Sequence, residues 1–424
     1  MFYEVTNSSR LIRLVSTTLF LLLLLPGSAR AVELAERHQP AIALPVIEYS
    51  SKLSYEEYVL QTRALISSRN PQAAVKMENS NGLSVLDAVS PKQWPLPTDC
   101  EKPELGLLLI HGLSDSPFSM RDLGDSFSGK CVLIRSMMLP GHSTLPADLA
   151  EVTYQEWITA TSWAIESFSE EVPKLVVVGF STGGTLGLDY VLTNNAAGQN
   201  SHVDGLVLLA PAIAVNTSVA FLASWVDWLG KIFSERLRWA SIEEDLDQTK
   251  YESFHMNGAV QINLLTERLG PVSEKGALVP VPVLVIASEQ DTTISTKKTI
   301  EFFNHRTNSD SRMLLYSSRN EVTSTERIEV RNSVDPQQNI LSLSHISIPF
   351  KPTNHHYGKG GEYKNCQHYS DDSRRSSCFE ANESTIYYGE ITKENRAVGT
   401  LRRISWNPDY KYMIDRIDQF INAL

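Results

Sequence analysis

Beyond its first 31 residues the sequence has no apolar run approaching the roughly 20 residues that a membrane-spanning helix requires, so no stable span is expected in the mature chain. Basic charge is also in short supply: 38 Lys and Arg stand against 49 Asp and Glu, a formal net charge of −11. Removing residues 1–31, where Arg10, Arg13 and Arg30 outnumber Glu4, takes away +2 and leaves −11 − 2 = −13. That balance excludes a broadly basic nucleic-acid surface. Internal repeats and long low-complexity tracts are absent, which excludes a solenoid. His355, His356, Cys366, His368 and Cys378 cluster without matching any zinc spacing, so no metal is expected.

What is present begins with an export signal. Arg10 and Arg13 precede the apolar run from Leu14 to Leu25, which leads through Pro26 and Gly27 to Ala29-Arg30-Ala31. Small residues at the two positions a signal peptidase inspects predict a signal peptide over 1–31 and an exported protein, periplasmic or secreted. The run of about 12 residues is too short for an anchor helix. In an oxidising compartment the four cysteines allow two disulfides. Cys366 with Cys378 is favoured because the segment between them is polar and loop-like, and Cys100 with Cys131 follows by subtraction. Alternatively, Cys131, opening the run Cys131-Val132-Leu133-Ile134, is a buried core thiol.

Residues 32–104 are rich in proline and carry one helical stretch, about Ser54 to Ser67, so they read as an N-terminal extension without a catalytic pattern. From Gly106 short continuous apolar runs alternate with helical stretches: Gly106 to Ile110, Cys131 to Ile134, Leu175 to Val178, Leu206 to Leu209, Val281 to Ile286 and Met313 to Tyr316. Such runs are strands of a parallel sheet covered on both faces, and the alternation predicts a doubly wound, mostly parallel α/β fold. It breaks over 212–278, where Phe221, Leu222, Trp225, Trp228, Leu229, Ile232, Phe233, Leu237 and Trp239 recur at helical spacing. That stretch reads as an inserted helical cap, dividing the core into 105–211 and 279–424. Residues 351–380 are polar and are expected to form a surface loop, and Arg319 to Asn339 reads as an insertion.

The chemistry is concentrated in Lys174-Leu175-Val176-Val177-Val178-Gly179-Phe180-Ser181-Thr182-Gly183-Gly184, a strand entering G-x-S-x-G and then a helix. This pentapeptide occurs once. A serine at the apex of so sharp a turn is exposed at the positive end of a helix dipole, and its neighbours two before and two after must be small. Upstream, the strand Leu107 to Ile110 ends in His111-Gly112-Leu113-Ser114.

With Leu109-Ile110-His111-Gly112, Leu139-Pro140-Gly141-His142, Gly179 to Gly183 and the surroundings of Asp291 and His345, residues 106–350 resemble the serine esterase and monoacylglycerol lipase branch of the α/β-hydrolases. The resemblance implies Ser181 as nucleophile, followed in chain order by an acid and a histidine. It selects Asp291, in Ser288-Glu289-Gln290-Asp291, with Glu289 as competitor. It places the base at His345, after the alternating segment Leu341 to Ser344, with His355 and His356 as alternatives. Backbone N–H groups of Leu113 and Thr182 are the implied oxyanion donors. His111, before the nucleophile in chain order, and His142, in Gly141-His142-Ser143 where the family usually has Gly-His-Gly, are expected to fix loops.

Such a constellation hydrolyses carboxylic esters through an acyl-enzyme and requires no cofactor. An aromatic cap suggests small ester or lipid substrates: a monoacylglycerol, a lysophospholipid or a short-chain ester. Two other classes remain. An aminopeptidase or amidase would bind a free amine through cap carboxylates such as Glu243, Glu244 and Asp245, and a non-catalytic binding module would keep the fold without turnover.

Overall fold

The apolar runs pair side by side. In the computed structural model, which describes residues 34–39, 46–78, 80, 82–214, 235–243, 246–270, 276–319 and 321–424, they become strands of one parallel sheet. The expected signal peptide and the aromatic run 221–233 lie outside the described residues. Residues Glu36–Leu424 form one compact unit, and Met1–Ala35 is assigned to another.

In chain order the strands are β1 (Leu105–Ile110), β2 (Val132–Met137), β3 (Lys174–Phe180), β4 (Gly205–Leu209), β5 (Trp239–Ser241), β6 (Phe254–His255), β7 (Val283–Ser288), β8 (Arg312–Ser317), β9 (Ile328–Asn332), β10 (Tyr387–Gly389) and β11 (Leu401–Arg403). Seven of them form the main sheet in the order β2-β1-β3-β4-β7-β8-β9, all neighbours parallel. Val176, Val177 and Val178 of β3 and Leu206, Val207 and Leu208 of β4 are fully buried, the environment that makes such strands read as unbroken apolar runs. From β1 the chain winds outward to β2, then returns past β1 to β3 and continues the other way. Right-handed crossovers in opposite directions put helices on opposite faces and open a crevice at the carboxyl ends of β1 and β3. The helix Arg121–Phe127 lies on the crossover from β1 to β2, and the helices Tyr154–Ser169 and Thr182–Ala196, which pack together, lie on the crossovers that run the other way.

The N-terminal extension covers the outer edge of the sheet. Its helix, Tyr55–Arg69, starts at a capping box in which Ser54 and Glu57 bond reciprocally. Tyr58, fully buried, donates its hydroxyl to Met138 O (3.0 Å) and accepts from Met138 N–H (2.9 Å). Gln93 bridges Arg135 of β2 in antiparallel fashion, pairing an edge that would otherwise stay open. Ile66, Met77, Val85 and Ala88 of the extension form a second small core with Phe118, Phe350, Tyr357 and Tyr363.

The stretch Arg319 to Asn339, expected as an insertion, carries strand β9, half-exposed at the other sheet edge; its sequence, Ile-Glu-Val-Arg-Asn, has no apolar run because only part of it faces the core. Two expectations are corrected. Trp239 is not helical. It opens the antiparallel pair β5–β6 and meets the rings of His38 (4.9 Å) and His255 (5.1 Å) edge-on. Residues 351–380 are not a surface loop: Tyr357 is fully buried, and so are Cys366 and Cys378. Polar residues there pair with one another, so polarity did not mean exposure. Both disulfides are present, Cys100–Cys131 and Cys366–Cys378, so Cys131 is not a core thiol.

Candidate active site

Ser181 sits between β3 and the helix Thr182–Ala196 with φ 51° and ψ −113°, in a region L-residues rarely occupy. Its neighbours explain how the turn closes. A Cβ at Gly179 would lie 2.3 Å from Gly183 C, and a Cβ at Gly183 would lie 2.3 Å from the Ile110 carbonyl oxygen. Only glycine lets the helix come down so tightly on the ends of β1 and β3. The backbone of Ser181 is pinned by donation to Leu209 O (2.8 Å) and by Thr185 N–H reaching Ser181 O (3.2 Å).

Thr182, as first residue of its helix, has no intrahelical acceptor for its N–H. Leu113 follows β1, in a loop that two buried histidines hold. His111 Nε2 accepts from Leu139 N–H (3.1 Å) while Nδ1 donates to Gly112 O (2.8 Å). His142 Nε2 accepts from Ser114 N–H (3.1 Å) and Nδ1 donates to Pro140 O (3.0 Å). Burial pushes His111 well below its ordinary value and His142 down to about 4, so both are neutral braces. Ser143 has φ 64°, the left-handed region that accounts for glycine being usual at that position.

Asp291 lies on the loop after β7. Its Oδ2 accepts from His345 Nδ1 at 2.6 Å, and its Oδ1 accepts from Thr293 N–H (2.7 Å) and Ile294 N–H (3.0 Å). Burial alone would raise this carboxyl; the opposing charge of His345 and these hydrogen bonds outweigh it and hold Asp291 below the usual carboxylate range. Glu289 points elsewhere, to the Ser317 hydroxyl. His345 opens a short 3-10 turn, and its ring lies 5.1 Å from that of Phe180. His355 is exposed, and His356 is engaged at Asp247 (3.1 Å) and Glu362 (3.2 Å).

Leu113, Ser181, Thr182 and His345 line one cavity of about 330 Å³. Its apolar side includes Phe180, Phe254, Ile262 and Ile346, and its polar side Lys250, Glu252, Asn365, Gln367 and Arg403. Most of that polar wall was not anticipated, because it comes from segments whose sequence reads as solvent-exposed. Glu243 does not line the cavity, and Glu244 and Asp245 lie outside the described residues.

A parallel sheet whose strand β3 delivers a strained serine to the crevice at the topological switch point defines an α/β-hydrolase. The chain belongs to the Hydrolase_4 family, described as serine aminopeptidase, S33, whose model matches residues 101–319, just over half of the sequence. It is 24% identical over 211 residues to a thermostable monoacylglycerol lipase of Bacillus sp. (strain H-257), covering 47% of this chain and 78% of the relative. Among solved structures it is similar to the Paleococcus ferrophilus monoacylglycerol lipase (18% identity, TM-score 0.41, 54% of this chain and 88% of that one). It is likewise similar to a soluble variant of the Saccharomyces cerevisiae monoglyceride lipase (15% identity, TM-score 0.42, 54% and 82%). These relatives are lipases, and the family match makes the protein a hydrolase.

Proposed function

We propose that the protein is an exported serine hydrolase that cleaves carboxylic esters through an acyl-enzyme on Ser181. The observation that carries the reading is the strained Ser181 sharing a cavity with His345, whose other ring nitrogen is held by Asp291 at 2.6 Å. Bound to Asp291 through Nδ1–H, the imidazole offers Nε2 as base. It takes the Ser181 proton as Oγ attacks the ester carbonyl, then gives it to the leaving alcohol. Water, activated by the same nitrogen, hydrolyses the acyl-enzyme and frees the acid. The N–H groups of Leu113 and Thr182 would each supply on the order of 3 kcal/mol to the tetrahedral intermediate. Monoacylglycerol, lysophospholipid and short-chain esters all fit a cavity with one apolar and one polar side. Two disulfides favour the exported location.

A second reading, aminopeptidase or amidase, is favoured by the family description and by Glu252 in the cavity wall, a carboxylate within the chamber where an amine would lie. The test is a fluorophosphonate probe and a p-nitrophenyl ester series of rising acyl length, applied to the native protein and to Ser181→Ala. Labelling and turnover in the native protein, both lost in the variant, are the expected result, and the chain-length optimum sets the acyl preference. Labelling without ester turnover moves the assignment to amides. Absence of labelling in both overturns the serine-hydrolase reading.

A further inference from the structure

Glu390 and Arg403 lie beyond the residues matched by the family model, yet they touch both loops that hold the His345–Asp291 pair. Glu390 is fully buried. Its Oε2 accepts the backbone N–H of His345 (3.2 Å), and its two oxygens receive Arg403 Nε (2.7 Å) and Nη2 (2.9 Å). Arg403 Nη2 also donates to Thr293 Oγ1 (2.8 Å), and the N–H of that same Thr293 donates to Asp291. The contacts close on themselves: imidazole to Asp291, Asp291 to Thr293, Thr293 to Arg403, Arg403 to Glu390, and Glu390 back to the His345 backbone.

The circuit meets a need. Asp291 and His345 are 54 residues apart in sequence, on separate loops that are joined at their base by Ser288 Oγ donating to Leu343 O (3.0 Å) and nearer the pair by Glu390 and Arg403. The bridge is itself anchored: Gly389 pairs with Arg403 across β10–β11, Glu390 N–H donates to the Ser342 hydroxyl (3.0 Å), and Arg403 N–H donates to Asn365 O (3.1 Å).

We propose that Glu390 and Arg403 are positioning residues that fix the His345 imidazole on Asp291 for turnover at Ser181. The inference rests on the serine-hydrolase reading and extends it to a segment outside the family match. Among the described residues, charged or titratable groups around His345 are Asp291, Glu390, Arg403 and, lining the same cavity, Lys250, Glu252, Asp115, Tyr251 and Tyr363. Glu390 and Arg403 are oppositely charged, so losing one alone leaves the other's field uncompensated.

The variants are Glu390→Gln, Arg403→Met and the double Glu390→Leu/Arg403→Met. The double removes the buried pair as a unit, which is tolerated better than leaving one charge alone. In folded protein, kcat for a p-nitrophenyl ester is expected to fall about 10- to 100-fold with KM within about two-fold. The acid limb of kcat/KM against pH should move to lower pH in Glu390→Gln, where Arg403 opposes the imidazolium, and to higher pH in Arg403→Met, where Glu390 favours it. In the double variant the limb returns close to its native place while kcat stays low. The far-downfield proton resonance of the imidazole–carboxylate bond should be sharp in the native protein and broadened or lost in the folded double variant. Native kcat and an unchanged downfield proton in a folded double variant overturn the positioning role. Native protein that shows the proton but is not labelled by fluorophosphonate overturns the hydrolase reading instead, and the proton in the variants still decides whether the pair holds the imidazole.

Discussion

At the scale of single residues, the site trades stability for placement. Ser181 holds a backbone conformation that costs about 1–3 kcal/mol in an L-residue. Glycine relieves it but loses about 0.5–1 kcal/mol through the freedom it adds to the unfolded chain. Ser181→Gly is therefore expected to raise stability by about 1 kcal/mol, read as a higher urea midpoint, while abolishing labelling; a lowered midpoint would mean the turn is not strained. Gly183→Ala should lose fold and labelling together, because its Cβ would meet the Ile110 carbonyl at 2.3 Å. The elbow was legible in the sequence because its residues are consecutive: a buried strand, a serine with a glycine two places before and after it, and a helix follow one another in a single stretch of chain. Glu390 was not legible. Its importance lies in its contacts with His345 and Arg403, distant in sequence or unmarked by any motif, and leaves no pattern around residue 390 itself.

Secondary-structure elements divide the same way. Strands β1, β3, β4 and β7 announce themselves because burial on both faces demands unbroken apolar residues, whereas β9, open on one side, alternates with charge and carries no such run. The C-terminal segment misled for a different reason: His356 pairs with Glu362 and with Asp247 of an earlier stretch, and Glu390 with Arg403, and composition does not reveal pairing. The two disulfides allow a comparison of elements. Cys366–Cys378 closes 12 residues and Cys100–Cys131 closes 31, so chain entropy assigns roughly 3 and 4 kcal/mol respectively. Cys366 and Cys378 flank the segment that supplies Gln367 to the cavity wall. Replacing Cys366 and Cys378 by serine should cost more activity, and replacing Cys100 and Cys131 more stability, when kcat/KM and melting temperature are measured side by side. Equal losses of activity would detach the C-terminal segment from the site.

For the whole molecule, the buried histidines set opposite pH limits. His142, down at about 4 against an ordinary 6.5, is neutral when folded and takes up a proton on unfolding. Stability therefore drains away as pH falls from about 6.5 towards 4, by roughly 3 kcal/mol from this group, and His111 acts in the same direction. His356 runs the other way. Burial disfavours its charge, but Asp247 and then Glu362 outweigh that and raise it above its ordinary value. Its contribution is complete below the unfolded value and is lost as pH rises through the folded one. Urea midpoints from about pH 4 to 9 should form a dome, and His356→Gln should flatten its alkaline side; an unchanged alkaline slope would remove His356 from the account.

The reach of residues 387–403 back to His345 also sets a schedule. A ribosome delivers β1, β3 and the Ser181 elbow more than 200 residues before Arg403. On the proposed reading, a chain still being made holds its serine before Glu390 and Arg403 can fix the imidazole, so competence would wait for residues 387–403.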